Sequence, residues 1–157
     1  MIKELENCEI DVVMDIWLKT NISSHSFIPE EYWISNYSVV KEEYLPISKT
    51  FVYIEDNVTR GFIGVIDGHF IGALFVQEEY QGKGIGQKLL DHCKSLYSNL
   101  ELGVYTENKV AVGFYTKNGF IVKKEQPNED SGFMEYVMSW KKELKAIEFD
   151  QNGGNGL

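Results

Sequence analysis

The sequence predicts a mixed, mostly antiparallel and twisted α/β sheet of about six to seven strands with helices on both faces. Three observations predict it. Three β-branched and aromatic runs, Thr50–Glu55, Gly61–Ile66 and Phe70–Val76, follow one another with short turns between them. A helix-patterned segment then joins the last run to a further strand. Before and after this block, apolar residues recur at the 3.6-residue spacing of amphipathic helices.

The elements follow in order. Ile2 to Leu5 reads as a short first strand. From Cys8 to about Lys19, Ile10, Val13, Met14, Trp17 and Leu18 recur at helical spacing. Thr20 to Ile28 reads as a loop, and Pro29 suits the first turn of a second helix. That helix runs through Tyr32 and Trp33 towards Tyr44, and Pro46 stops any continuation. Asp67-Gly68 is a strong hairpin signal and Asp56-Asn57 a weaker one, so the three runs form an antiparallel meander. Ile85, Leu89, Leu90, Cys93, Leu96 and Tyr97 then line one face of a helix of about four turns. Leu102 to Thr106 is the next strand. A strand, a crossover helix and a strand imply a parallel pair with a right-handed connection. Asn108 suits an N-cap, Val110, Ala111, Phe114 and Tyr115 follow at helical spacing, and Gly119 suits the residue beyond the helix end. Phe120–Lys124 and Phe133–Trp140 form a final hairpin around Pro127–Gly132. The order is β-α-α-β-β-β-α-β-α-β-β.

At 157 residues the chain fits one domain, expected over residues 1–145, with a polar, mobile tail at 146–157. Apolar residues make up 43% and are spread along the chain, which argues against disorder. The N-terminus has no signal-peptide pattern, and no apolar run approaches the roughly 20 residues of a membrane span. Cys8 and Cys93 are far apart and belong to no CxxC pair, so reduced thiols and a cytoplasmic location are expected. The formal charge is −9, from 24 acids against 15 bases. That disfavours nucleic acid and anionic membranes as partners and mildly favours a cationic substrate. An anionic ligand must then be met by backbone dipoles and a few lysines. Lys83 and Lys88 are placed to help, although both also suit a solvated helix start.

The stretch Gln81-Gly82-Lys83-Gly84-Ile85-Gly86-Gln87 lies between the buried run Phe70–Val76 and a helix. Glycines there let the backbone come close to a ligand, and the helix N-terminus favours an anion. The string G-x-x-x-x-G-K-[ST] of a mononucleotide loop is absent. Gly82-x-Gly84-x-x-Gln87 lacks the third glycine of a dinucleotide fingerprint, which disfavours a nicotinamide redox domain. Gln81-x-x-Gly84-x-Gly86 after a buried strand resembles the pyrophosphate loop of the GCN5-related N-acetyltransferase (GNAT) family. Asn108-x-x-Ala111-x-x-Phe114-Tyr115-x-Lys117-x-Gly119-Phe120 resembles the family's second signature. The resemblance covers the element order from about Ile2 to Trp140.

The resemblance implies an acyl-CoA N-acyltransferase-like fold and acetyl-coenzyme A (CoA) as cofactor. It implies that Leu74, Phe75 and Val76 pair with the pantetheine arm, and that backbone N–H groups of Gln81, Gly82, Lys83, Gly84, Ile85, Gly86 and Gln87 hold the pyrophosphate. Asn108 matches a position that bonds the pantetheine, and Tyr115 one that stands beside the thioester sulfur. Acetyl transfer to an amine by direct attack needs a neutral amine, a polarised carbonyl and a proton for the departing thiolate. Tyr115 is the candidate general acid; its ordinary alternative is a core aromatic with its hydroxyl at the surface. A bulge near Phe75 and Val76 would let a backbone N–H polarise the carbonyl.

Some relatives carry a glutamate on the central strand, but Phe70–Val76 has no carboxylate. His25 is therefore the candidate base, with Glu30, Glu31 and Glu43 behind it; its ordinary alternative is an exposed loop residue. Phe27, Glu30 and Tyr32 are candidate substrate-binding residues in a region whose rings and acids suit a cation. Trp33 and Tyr44 suit packing on the sheet. His69 reads as a surface residue at a strand start, and His92 as lying on the exposed side of its helix. The three histidines share no ligand spacing with one another or with the cysteines, so no metal is expected. The implied activity is N-acetylation of a small-molecule or peptide amine. The missing strand glutamate leaves open a second reading, a non-catalytic CoA-sensing or protein-interaction module. The family's frequent use of the final strands as an interface allows a homodimer.

Overall fold

A computed structural model describes residues 1–143; the expected tail at 146–157 lies outside the described residues. Seven strands form one sheet: β1 (Ile2–Glu4), β2 (Lys49–Glu55), β3 (Val58–Ile66), β4 (Phe70–Val76), β5 (Asn99–Tyr105), β6 (Ile121–Pro127) and β7 (Met134–Lys141). Their spatial order is β1-β2-β3-β4-β5-β7-β6. Every pairing is antiparallel except that of β4 with β5. Four helices cover the sheet: α1 (Ile10–Ser24), α2 (Glu30–Val39), α3 (Ile85–Leu96) and α4 (Lys109–Lys117).

The period-2 alternation of strand side chains divides the core into two. Phe51 and Tyr53 face α3 and α4, while Val52 between them faces α1 and α2. Ile63 and Phe62 divide in the same way. Leu89, Leu90 and Cys93 of α3 are fully buried, and burying each leucine stabilises the fold by about 1.5–3 kcal/mol. On the other face Val13, Met14, Ile16 and Trp17 of α1 are buried with Trp33 of α2.

β4 and β5 share register only at Phe70↔Glu101. Beyond that point β4 runs on to Val76 and β5 to Tyr105 without pairing. The sheet is therefore split at its parallel pair, and strand-edge groups of both strands are free in the opening. The pairing of β3 with β4 passes from Gly64↔Ala73 to Val65↔Ile71, so Gly72 is the extra residue of a bulge. The bulge lies upstream of Phe75 and Val76.

Several elements depart from the sequence expectation. Helix α1 continues through Ser24, so Thr20–Ser24 is helix and not loop. Thr20 and Asn21 are buried, and the Asn21 side-chain amide donates to the Trp17 carbonyl at 2.9 Å. Helix α2 ends at Val39 and passes into a π turn at Val40–Tyr44, followed by a 3₁₀ turn that contains Pro46. This turns Tyr44 outward, 51% exposed, in place of packing on the sheet. Strand β5 starts at Asn99, earlier than Leu102, because it pairs with β7 along its whole length. Leu96 falls in the last turn of α3 and is 54% exposed. His92 is half-buried, its ring 4.6 Å from that of Phe51, and does not face solvent freely.

Candidate active site

The glycine stretch forms the turn between β4 and α3. Gly84 is the N-cap of α3 at φ +84°, a left-handed conformation that costs a residue with a β-carbon about 1–2 kcal/mol. Gly82 also has positive φ. A β-carbon at either position would meet no atom within 4 Å, so the loop has open space above it. The first turn of α3 holds no acidic side chain, and no side chain caps it. Its leading N–H groups are thus unspent donors at the positive end of the helix. The Gln81 amide donates to the Val76 carbonyl at 2.9 Å and ties the loop to the end of β4. Lys83 is exposed, its ammonium 5.8 Å from the Tyr80 ring centre.

This loop, the free end of β4 and helix α4 border one cleft of about 950 Å³. Leu74, Phe75, Val76, Gly82, Gly84 and Gln87 line one part of it, with Gln81, Ile85 and Gly86 beside them. Asn108, Ala111, Phe114 and Tyr115 line the α4 side. The size lies at the upper end of the 300–1,000 Å³ usual for ligand clefts. Two of its features fit CoA: an open strand edge for an amide-bearing arm and bare N–H groups for a pyrophosphate.

Tyr115 sits on the second turn of α4 and is 9% exposed. Its ring packs edge-on against Phe114 and Phe120. Burial pushes the phenol well above its ordinary range, so it stays protonated. Among the described residues its hydroxyl has no hydrogen-bond partner.

His25 is not an exposed loop residue. It is the C-cap of α1, 6% exposed. Its Nδ1 lies 3.1 Å from the Asn21 carbonyl, which can only accept, so Nδ1 carries the proton. Nε2 then accepts from Asn108 Nδ2 at 3.0 Å. Asn108 Oδ1 accepts in turn from the Ala111 N–H at 3.2 Å and caps α4 as expected. That bond to Asn108 occupies the lone pair a base would use. Trp33 stacks on the imidazole, and Tyr105 and Phe27 meet it edge-on. Burial lowers the His25 pKa, against a smaller raising effect from the Asn21 carbonyl.

His25 makes the stability of the fold depend on pH. The unfolded chain takes up a proton near pH 6.5, and the folded chain does so only at lower pH. The stability held by neutral His25 is full above about pH 6.5 and is lost as pH falls through that value towards the folded pKa. Urea midpoints measured between pH 7.5 and 5 should fall more for the native chain than for His25→Gln. Equal slopes would remove His25 as the source.

The three candidate substrate-binding residues do not line the cleft. Phe27 packs against His25, Tyr105 and Phe133. Glu30 is exposed at the start of α2. The Tyr32 hydroxyl donates to Asp130 at 2.5 Å, and burial followed by that carboxylate pushes its pKa up. The expectation put these residues in an acceptor loop; α1 takes up that segment as far as Ser24, and Phe27 and Tyr32 engage neighbouring side chains. In their place Trp17, Thr20, Asn21, Ser23, Ser24 and Trp33 face the cleft, with Tyr105, Asn128 and Glu135 opposite. Sequence reasoning missed Glu135. One signal was present: Gly103 stands alone inside a strand, a sign of close approach by another group. Away from the cleft, Glu6, Cys8 and Glu9 gather, and the Lys3 ammonium bridges both carboxylates at 2.5 and 2.7 Å.

A sheet split at its parallel pair, with a glycine loop and the N-terminus of α3 at the split, is the arrangement that the resemblance to CoA-dependent acyltransferases implies. The chain belongs to the acetyltransferase (GNAT) domain family, whose model matches residues 26–142. It is similar to the peptidyl-lysine N-acetyltransferase YiaC of Escherichia coli K12, 29% identical over 140 residues that cover 89% of this chain and 96% of that protein. The solution structure of apo-form YjaB from Escherichia coli superposes with a TM-score of 0.79 at 25% identity, covering 91% of this chain and 98% of that one. The PaiA N-acetyltransferase of Thermoplasma acidophilum, solved in complex with coenzyme A, shares the fold with a TM-score of 0.75 at 23% identity, covering 90% and 98%.

Proposed function

We propose that this protein transfers an acetyl group from acetyl-coenzyme A to a primary amine by direct attack, with Tyr115 as general acid. One observation carries the proposal: a single cleft joins the glycine loop, the open end of β4 and the unpartnered Tyr115 hydroxyl. Bound acetyl-coenzyme A supplies the acetyl group as a thioester. Those backbone groups of Leu74, Phe75 and Val76 that face the opening, not the ones spent on β3 or on the Gln81 amide, would hold its amide-bearing arm. The N–H groups from Gly82 to Gln87 meet the pyrophosphate, which explains how a chain of charge −9 holds an anion. The amine nitrogen bonds to the acetyl carbon and the C–S bond breaks. The Tyr115 phenol would give its proton to the leaving sulfur, the nitrogen would lose its surplus proton to solvent, and the tyrosinate would take one back from solvent.

Asn108, held by Ala111 and His25, presents a fixed amide at the cleft wall. His25 is not assigned the base role, since its Nε2 already accepts from Asn108. The activity in the name of YiaC favours a peptide lysine over other amines. A cytoplasmic location and a homodimer through β6 and β7 belong to the same reading; among the described residues β6 is last in the sheet order and leaves one strand edge open to a second copy. Among the described residues no helix is long and apolar enough to cross a membrane.

The test is thiol release from acetyl-coenzyme A across lysine peptides and small amines, with calorimetry for CoA. Turnover with at least one amine is expected. Tight CoA binding without acetylation of any amine would favour the second reading, a CoA-binding module. Binding of a nicotinamide dinucleotide but not CoA would overturn both.

A further inference from the structure

We propose that Glu135 is the anion that receives the acceptor amine as its ammonium ion, which then sheds a proton to solvent before the nitrogen attacks. This deepens the reading above and rests on it. Among the described residues that line the cleft, Glu135 is the sole member of the set Asp, Glu, Lys and Arg. It lies on β7 opposite Tyr105 of β5, a residue that packs with the α1 and α2 cluster.

The carboxylate is held in place. Gln126 Nε2 donates to Oε2 at 2.9 Å, and Asn128 Nδ2 donates to Oε1 at 2.9 Å. Asn128 is itself locked, because its Oδ1 accepts the N–H groups of Asp130 and Ser131. Two neutral amides use two of the roughly four lone-pair sites of a carboxylate and leave its charge uncompensated. Among the described residues Glu135 forms no ion pair, although it is half-buried. Such a group is stabilised by a cation brought from outside.

Gly103 makes the placement available. A β-carbon there would lie 2.8 Å from Glu135 Oε1, a distance no carbon–oxygen contact tolerates. Gly103 is two residues beyond Glu101, the last point of β4–β5 pairing. The carboxylate therefore lies over the open part of β5. Trp17, Trp33 and Tyr105 add aromatic faces to the same cleft, which suit an alkylammonium chain.

Glu135 also orders the loop before β7, so the experiment must separate recognition from folding. The probe is an N-terminally blocked lysine tripeptide with acetyl-coenzyme A as donor. Glu135→Gln should raise the peptide KM at least tenfold, with the CoA Kd and the Tm near native. Gly103→Ala keeps the carboxylate but displaces it, and should raise the peptide KM in the same direction. Calorimetry of the peptide onto the CoA-loaded native protein reads the same contact without turnover, and Glu135→Gln should abolish that binding. A peptide KM within twofold of native in both variants overturns the inference and leaves the acetyltransferase reading standing. Absent thiol release from the native protein, with peptide binding that depends on Glu135, sinks that reading and leaves the site. A CoA-loaded native protein that does not bind the peptide also overturns the inference.

Discussion

Tyr115→Phe is expected to lower kcat by about 100-fold or more while CoA affinity and Tm stay near native, since a positioned general acid contributes about 10²–10⁴-fold. The hydroxyl has no partner among the described residues, so its loss breaks no internal bond. The ring is held by Phe114 and Phe120 and by burial, all of which phenylalanine keeps. A change that leaves packing intact and removes one proton donor separates chemistry from structure. Burial already holds the phenol above its ordinary range, so the native donor is loaded through neutral and mildly alkaline pH. Release of free thiol at saturating acetyl-coenzyme A and amine measures the effect. A kcat within twofold of native would remove Tyr115 from the chemistry.

The parts of this molecule set by local physics were legible in the sequence. The β-branched and aromatic run at Phe51, Val52 and Tyr53 reads as a strand, and the structure divides its side chains between the two cores. Asp67-Gly68 turns between β3 and β4, both residues at positive φ. Asn108 caps α4 with its own side chain, and the glycine loop opens onto α3. What was hidden depends on partners distant along the chain. Asn108 was readable as a cap, but its second bond goes to His25, 83 residues away. That bond follows from α1 running on to Ser24, an extension driven by the burial of Thr20 and Asn21. Glu135 was hidden because β7 inserts between β5 and β6, and chain order does not reveal that insertion. The aromatic residues from Phe27 to Tyr44 carry the same lesson. Their composition suits a pocket, yet Phe27 packs inward, Tyr32 bonds to Asp130 and Tyr44 faces solvent.

Phe120→Ala should cost the most stability, about 3–5 kcal/mol for a buried phenylalanine. Phe120 is 2% exposed, between the rings of Tyr115 at 5.4 Å and Trp140 at 6.5 Å. The Lys94 ammonium lies 5.8 Å from its ring centre and binds the Asn118 carbonyl at the end of α4. Its backbone N–H donates to the Tyr115 carbonyl at 3.0 Å. Removing the ring opens a cavity beneath the candidate acid, at the point where α4 passes through Gly119 into β6. At 2–4 °C per kcal/mol for a chain of this size, Tm should fall by roughly 6–20 °C. Phe120→Leu fills most of the volume and should recover most of the loss. The two effects on rate and fold are separable by a double-mutant cycle. If Phe120 acts on catalysis by holding Tyr115, its kcat effect at a temperature where both proteins are folded should vanish in the Tyr115→Phe background, while its cost in Tm should remain. A kcat loss that persists undiminished in that background would mean that Phe120 reaches the chemistry by another route, such as the α4 side of the cofactor cleft.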